Sequence, residues 1–152
     1  MTHIRKALEE DGRELTRIAF AAKRYWNYPA EYYRIWEAEL TVTPDYIRNN
    51  DVFLAADDAG RIIGFYSVIE WKGDTYLDHI FIDTRFLKQG IGSNLMKHLI
   101  KMQREKGVGT INILVDPNAV GFYDKIGAEF IKYVPSNIAG REIPLYRIKL
   151  NV

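Results

Sequence analysis

Apolar residues recur along this chain with two periods, and the switches between them mark the elements. Leu8, Leu15, Ile18, Ala19 and Ala22 repeat at helical spacing and predict a helix over 8–26, after a short strand over 2–7. Pro29 interrupts, residues 31–40 can form a second helix, and Thr43-Pro44 suits the cap and first position of a short third one. Residues 52–56, 61–71 and 75–82 read as strands, divided by the turn residues Asp57-Asp58-Ala59-Gly60 and Lys72-Gly73-Asp74. Ile91, Leu95, Leu99 and Met102 then share a helix face, with Met96 and Ile100 beside them, predicting a helix over 92–106 that ends near Gly107. A strand over 110–115, a helix over 118–126 and strands over 128–134 and 143–150 complete the chain. This order predicts an α/β fold, a mixed twisted sheet flanked by helices, in a single domain spanning residues 1–152. If the strands at 75–82 and 110–115 share a sheet, the helix between them makes a right-handed parallel crossover.

The junction between the strand ending at Ile82 and the following helix holds the most specific local signal. It reads Arg85-Phe86-Leu87-Lys88-Gln89-Gly90-Ile91-Gly92-Ser93-Asn94. Two glycines there permit a sharp turn and a close approach of ligand to backbone. The first N–H groups of a helix lack intrahelical partners and favour negative charge, which suits a phosphate or pyrophosphate. Lys88 and Arg85 add positive charge. Taken alone, Gly-x-Gly fits a plain strand-to-helix turn equally well. The P-loop pattern is absent, and no third glycine follows Gly92 at dinucleotide spacing.

Composition narrows the options. Twenty-one basic against 20 acidic residues give a net charge of +1, with no basic stripe, so a nucleic-acid partner is not expected. No cysteine is present, which removes disulfides, thiolate metal sites and a cysteine nucleophile. His3, His79 and His98 are scattered, so no metal site is expected. No apolar signal region opens the chain and no run approaches the ~20 residues of a membrane span. The expectation is a soluble cytoplasmic protein with no membrane partner.

The glycine loop resembles the pyrophosphate-binding signature of the GCN5-related N-acetyltransferase family, Gln/Arg-x-x-Gly-x-Gly/Ala between a strand and a helix. Leu87-Lys88-Gln89-Gly90-Ile91-Gly92 matches it, with Leu87 in place of the usual Gln or Arg. A second segment, Asp116 to Ala128, is similar to the family's Asn-x-x-Ala-x-x-Leu/Phe-Tyr-x-x-x-Gly-Phe. Ala119, Phe122, Tyr123 and Gly127 fall in place, while Asp116 stands at the usual Asn position and Asn118 follows two residues later. The resemblance implies the acetyltransferase fold, acetyl-CoA as cosubstrate and an amine acceptor, either a small molecule or a protein amine. A homodimer is compatible with the fold. The cosubstrate contacts it implies are Lys88, Gln89, Gly90, Ile91, Gly92, Ser93 and Asn118, together with the backbone edge Ile80-Phe81-Ile82. A non-catalytic acyl-CoA-binding sensor or regulatory module of the same fold is the alternative.

Acetyl transfer from a thioester needs an amine stripped of its proton, donors for the oxyanion and a proton for the leaving thiolate. Tyr123, read alone, is either a packing tyrosine or a proton donor, and the resemblance implies the donor. Strand alternation puts Tyr76, Asp78 and Ile80 on one face, and Leu77, His79 and Phe81 on the other. Positions that carry histidines in arylalkylamine members of the family become Tyr76 and Asp78 here. Asp78 is therefore the expected general base, acting through water, with Glu70 in reserve. By its phase His79 is expected to be a buried structural histidine on the opposite face. The aromatic stretch Tyr25 to Trp36, containing Glu31, is expected to roof the acceptor site, and the loop Ser136 to Arg141 to form its other wall. Most of those rings are expected to pack the helices onto the sheet, with one or two facing the pocket.

Overall fold

The computed structural model describes residues 2–150. Its elements run β1 (His3–Lys6), α1 (Gly12–Arg24), α2 (Ala30–Leu40), α3 (Pro44–Asn49), β2 (Asp51–Ala56), β3 (Ile62–Trp71), β4 (Asp74–Ile82), α4 (Ile91–Glu105), β5 (Thr110–Leu114), α5 (Val120–Lys125), β6 (Glu129–Pro135) and β7 (Glu142–Lys149). They match the expected order, and the sheet is mixed and flanked by helices as the pattern predicts. Its seven strands lie in the order β1-β2-β3-β4-β5-β7-β6. Neighbours pair antiparallel except β4 and β5, which run parallel through the α4 crossover.

Local chemistry accounts for the boundaries. Helix α1 begins four residues later than its periodicity suggests, because residues 9–11 form a single 3₁₀ turn. Asp11 holds that turn by accepting the Leu8 N–H at 2.7 Å and pairing with Arg5. Thr43 caps α3 as expected, accepting the Tyr46 N–H at 3.0 Å ahead of Pro44. The β3–β4 hairpin turns on Lys72 and Gly73, with φ 51° and 84°. Two positive φ angles match a primed turn, whose twist suits the flanking strands.

Each sheet face carries its own core. Leu15, Ile18, Ala19, Trp36, Leu40 and Ile47 from α1–α3 pack with Val52, Leu54 and Phe65. Ile91, Leu95, Met96, Leu99 and Tyr123 from α4 and α5 pack with Ala55, Tyr66, Val68, Leu77, Ile111 and Ile113 on the other side. Alternation along β2 serves both: Val52 and Leu54 face one core, Phe53 and Ala55 the other.

Strand β4 is irregular in two ways. Ser67 pairs with His79, but Val68 pairs with Leu77, so Asp78 is an extra residue, a β-bulge. The bulge overturns the alternation expected from sequence. Leu77 shares a core with Ile80 and Ile82, while His79 turns to Phe65, Phe81 and Tyr46 on the α1–α3 side. In addition, β4 pairs with β5 only at Tyr76 with Asn112 and Leu77 with Ile113. Beyond that point the two strands separate.

Candidate active site

The separation of β4 from β5 opens a cleft of about 1580 Å³. Its walls come from β4, the loop before α4, the β5–α5 connection, the end of α2 and the β6–β7 loop.

Lys88, Gly90, Ile91, Gly92 and Ser93 line it at one end; Gln89, expected with them, does not. Gly90 caps α4 in the left-handed region, φ 78°, and the first helical bond runs from the Asn94 N–H to the Gly90 carbonyl at 3.1 Å. The N–H groups of Ile91, Gly92 and Ser93 therefore precede the helical ladder. A Cβ on Gly90 would meet nothing within 4 Å, so the space over this backbone is open. Gly92 differs: a Cβ there would sit 3.3 Å from the Phe122 ring. Its smallness lets α4 lie against α5, a reason beyond ligand approach.

Ile80, Phe81 and Ile82 line the middle of the cleft. They pair with β3 through Tyr66, Phe65 and Gly64, and their β5-facing edge has no strand partner. Across from them stands Tyr123, 4% exposed. Its ring packs edge-on to Phe122 at 5.1 Å. Among the described residues its hydroxyl has no hydrogen-bond partner, and no buried side-chain oxygen is left unsatisfied. The hydroxyl therefore reaches the cleft surface. Burial, and then the charge of Asp116, push its pKa above the ordinary tyrosine value, so it holds its proton at neutral pH.

Asp78 also lines the cleft. The bulge aims its carboxylate at α3, where it accepts from the Tyr46 hydroxyl at 2.5 Å and lies 3.4 Å from His79 Nε2. That nitrogen donates to the Glu39 carbonyl at 2.9 Å, which fixes the tautomer. Burial holds the His79 pKa below its usual value, so the ring is neutral beside Asp78. His79 is structural as expected, but it lies next to Asp78, not across the sheet. Glu70, the reserve base, is outside the cleft: it is exposed and accepts from Thr75 Oγ1 at 2.7 Å. Tyr76 packs against Trp71.

Glu39, in the last turn of α2, is the residue that sequence reasoning missed. It lines the cleft and bonds to Asn137 Nδ2. Burial first, and then the negative charge of Asp78, raise its pKa. Its only sequence signal was a carboxylate at the end of a helix expected to roof the site.

The aromatic stretch does roof the cleft. Tyr28, Tyr32 and Tyr33 surround Trp36, with ring centres 5.0 to 5.9 Å from it. Of these, Trp36 lines the cleft together with Tyr25 and Trp26, whereas Glu31 does not. The Tyr28 hydroxyl ties the roof to the far wall. It donates to Asp116 at 2.6 Å and accepts from Asn118 Nδ2 at 2.8 Å and Arg141 Nη2 at 3.2 Å. Lys23 completes the cluster, 2.8 Å from Asp116. Asn118 lines the cleft, and its side chain is engaged by Tyr28 in this structure.

Residues 32–140 match the acetyltransferase (GNAT) domain family. Among curated proteins, the chain is 26% identical over 149 residues to the peptidyl-lysine N-acetyltransferase YjaB of Salmonella typhimurium, covering 97% of each. It is 31% identical over 77 residues to the uncharacterized N-acetyltransferase ycf52 of Porphyra purpurea, a match covering 50% of this chain and 43% of that one. Among solved structures, the PaiA N-acetyltransferase from Thermoplasma acidophilum, determined with coenzyme A, superposes with a TM-score of 0.78 at 22% identity. That match covers 98% of this chain and 99% of the other.

Proposed function

The chain belongs to the acetyltransferase (GNAT) family, and from that premise we propose that it is an acetyl-CoA-dependent N-acetyltransferase working by direct attack in a ternary complex. One observation carries the reading. Three features face one cleft: an open glycine cradle at a helix start, a strand edge without a partner, and a tyrosine hydroxyl without a partner. These residues fit acetyl-CoA. The backbone N–H groups around Gly90 to Ser93 would hold its pyrophosphate, with Lys88 adding charge. Residues Ile80 to Ile82 would dock its pantetheine arm through main-chain bonds and offer an N–H to the oxyanion.

The reaction then asks two things of the side chains. An alkyl amine with a pKa of ~10.4 must lose a proton, and a thiolate whose acid has a pKa of ~8.5 must gain one. Asp78, through water, takes the first role, and Glu39 beside it shares the attraction for the incoming ammonium. The amine nitrogen bonds to the carbonyl carbon, the carbon–sulfur bond breaks, the sulfur takes the proton of Tyr123, and the proton that the nitrogen sheds on becoming an amide passes through water to restore the phenol. The absence of cysteine from the sequence favours direct transfer over a thioester-linked enzyme intermediate.

The test is free thiol released from acetyl-CoA in the presence of an amine panel led by lysine peptides, because a relative is named for peptidyl-lysine. Amine-dependent thiol release is expected. Calorimetric CoA binding with no release for any amine would instead favour the acyl-CoA-binding module.

A further inference from the structure

Charge is unevenly placed in the acceptor half of the cleft. Asp78 and Glu39 stand together there, and among the described residues neither has a charged cation as an ion-pair partner, since His79 is neutral. Arg141 also lines the cleft. Lys23 pairs with Asp116 at 2.8 Å, and its charge also reaches Glu39. Arg141, among the described residues, makes no ion pair, and its one side-chain hydrogen bond runs to the Tyr28 hydroxyl. Its guanidinium lies 5.0 Å from the Tyr28 ring centre, 5.8 Å from Tyr32 and 5.6 Å from Trp36. A guanidinium carries five donors in a planar fork. Here the rings hold the fork in place while most of its donors remain free. That is the arrangement that reads a carboxylate through two parallel bonds.

The acidic pair and the guanidinium belong to one continuous wall. From Arg141 it passes to Trp36, then through the indole Nε1 to Asn137 Oδ1 at 3.2 Å, and through Asn137 Nδ2 to Glu39. One acceptor molecule lying against that wall meets both charges.

Resting on the N-acetyltransferase reading, we propose that the acceptor is an amine that also bears a carboxylate, its amine drawn to Asp78 and Glu39 and its carboxylate held by Arg141. Simple alkyl amines and polyamines lack the group Arg141 would bind, and polyamines place a second cation against it.

Two ligands isolate the claim: 5-aminovalerate and pentylamine, alike in chain length and different only in the carboxylate. Calorimetry on the CoA-saturated protein should show 5-aminovalerate binding at least about tenfold tighter, with the ratio shrinking as salt rises. With acetyl-CoA, the same preference should appear in kcat/KM, mostly through KM. Arg141→Gln should bring the ratio between the two ligands close to one, and Arg141→Lys, which keeps the charge but not the fork, should restore part of it. Equal binding of the two ligands, or an Arg141→Gln protein with the ratio intact, overturns the proposal. The underlying reading fails separately. Preferential 5-aminovalerate binding with no thiol release would remove acetyl transfer and leave the carboxylate site standing. Thiol release without preference would do the reverse.

Discussion

Tyr123 combines a ring locked in the α5 core with a hydroxyl that, among the described residues, bonds to no other side chain. Removing that hydroxyl costs the fold no hydrogen bond, so Tyr123→Phe should leave the melting temperature and CoA affinity close to wild type. Acetyl transfer should fall ~10²-fold or more in kcat and kcat/KM alike, the size expected when a general acid is lost. Steady-state kinetics on an acceptor whose chemical step limits the rate gives the check, and a wild-type kcat would remove the acid role. Asp78 makes a second case. Asp78→Asn should lower kcat/KM by about 10²-fold. Its charge also helps raise the Glu39 pKa, after burial. Without that charge the Glu39 pKa drops, so the acidic limb of the residual pH–rate profile should move to lower pH. A profile and rate like wild type would exclude Asp78 from proton removal. Sequence offered these two residues as candidates, without their settings. Tyr123 was legible because Phe122 and Gly127 stand in register with it. The neighbours of Asp78 were not, because the bulge, Tyr46 and Glu39 come together only through long-range pairing.

At the scale of elements, the loop before α4 was the most legible part of the chain. A strand, two close glycines and a helical stripe leave few other geometries. Gly90 offers a clean test of it. Asn and Asp are the side chains that best tolerate the left-handed region, and a Cβ at this position meets no neighbour. Gly90→Asn and Gly90→Asp should therefore both fold. The Asp variant should bind CoA more weakly, because its charge opposes the pyrophosphate, and the gap between the two should narrow in high salt. Isothermal titration at two ionic strengths reads this directly, and equal affinities would separate the loop from the phosphates. Gly92 is the poorer position to vary, since any side chain there presses on Phe122. Where the sequence reading fell short, short-range polar bonds had competed with periodicity. Asp11 captured the residues before α1, and Asp116 captured the Asn118 N–H and delayed α5 to Val120. The β4 bulge left no mark in the strand pattern, because both Leu77 and Phe81 are apolar and either phase buries them.

The molecule as a whole places its two cores on opposite faces of one sheet, and His79 sits between the site and one of them. Burial lowers its pKa, so the folded protein resists a proton that the unfolded chain accepts near pH ~6.5. By linkage, this contribution is complete above that pH and is lost as pH falls from it toward the folded-state value. Thermal melts at pH 7.5 and 5.0 should show a larger drop for wild type than for His79→Gln, and equal drops would deny the histidine this role. At the same scale, the sheet is two antiparallel sets, β1 to β4 and β5 to β7, fastened by two residue pairs. Such a joint is a seam, and an acyl-CoA lying along it would serve as mortar, each half bracing the cosubstrate and so the other half. Cosubstrate binding is then also assembly. At a hundredfold excess over Kd it should add about 2.7 kcal/mol to stability. Amide exchange should slow on both flanks of the joint together, so that a protein without its thioester is the looser one and a loaded protein melts as a single block.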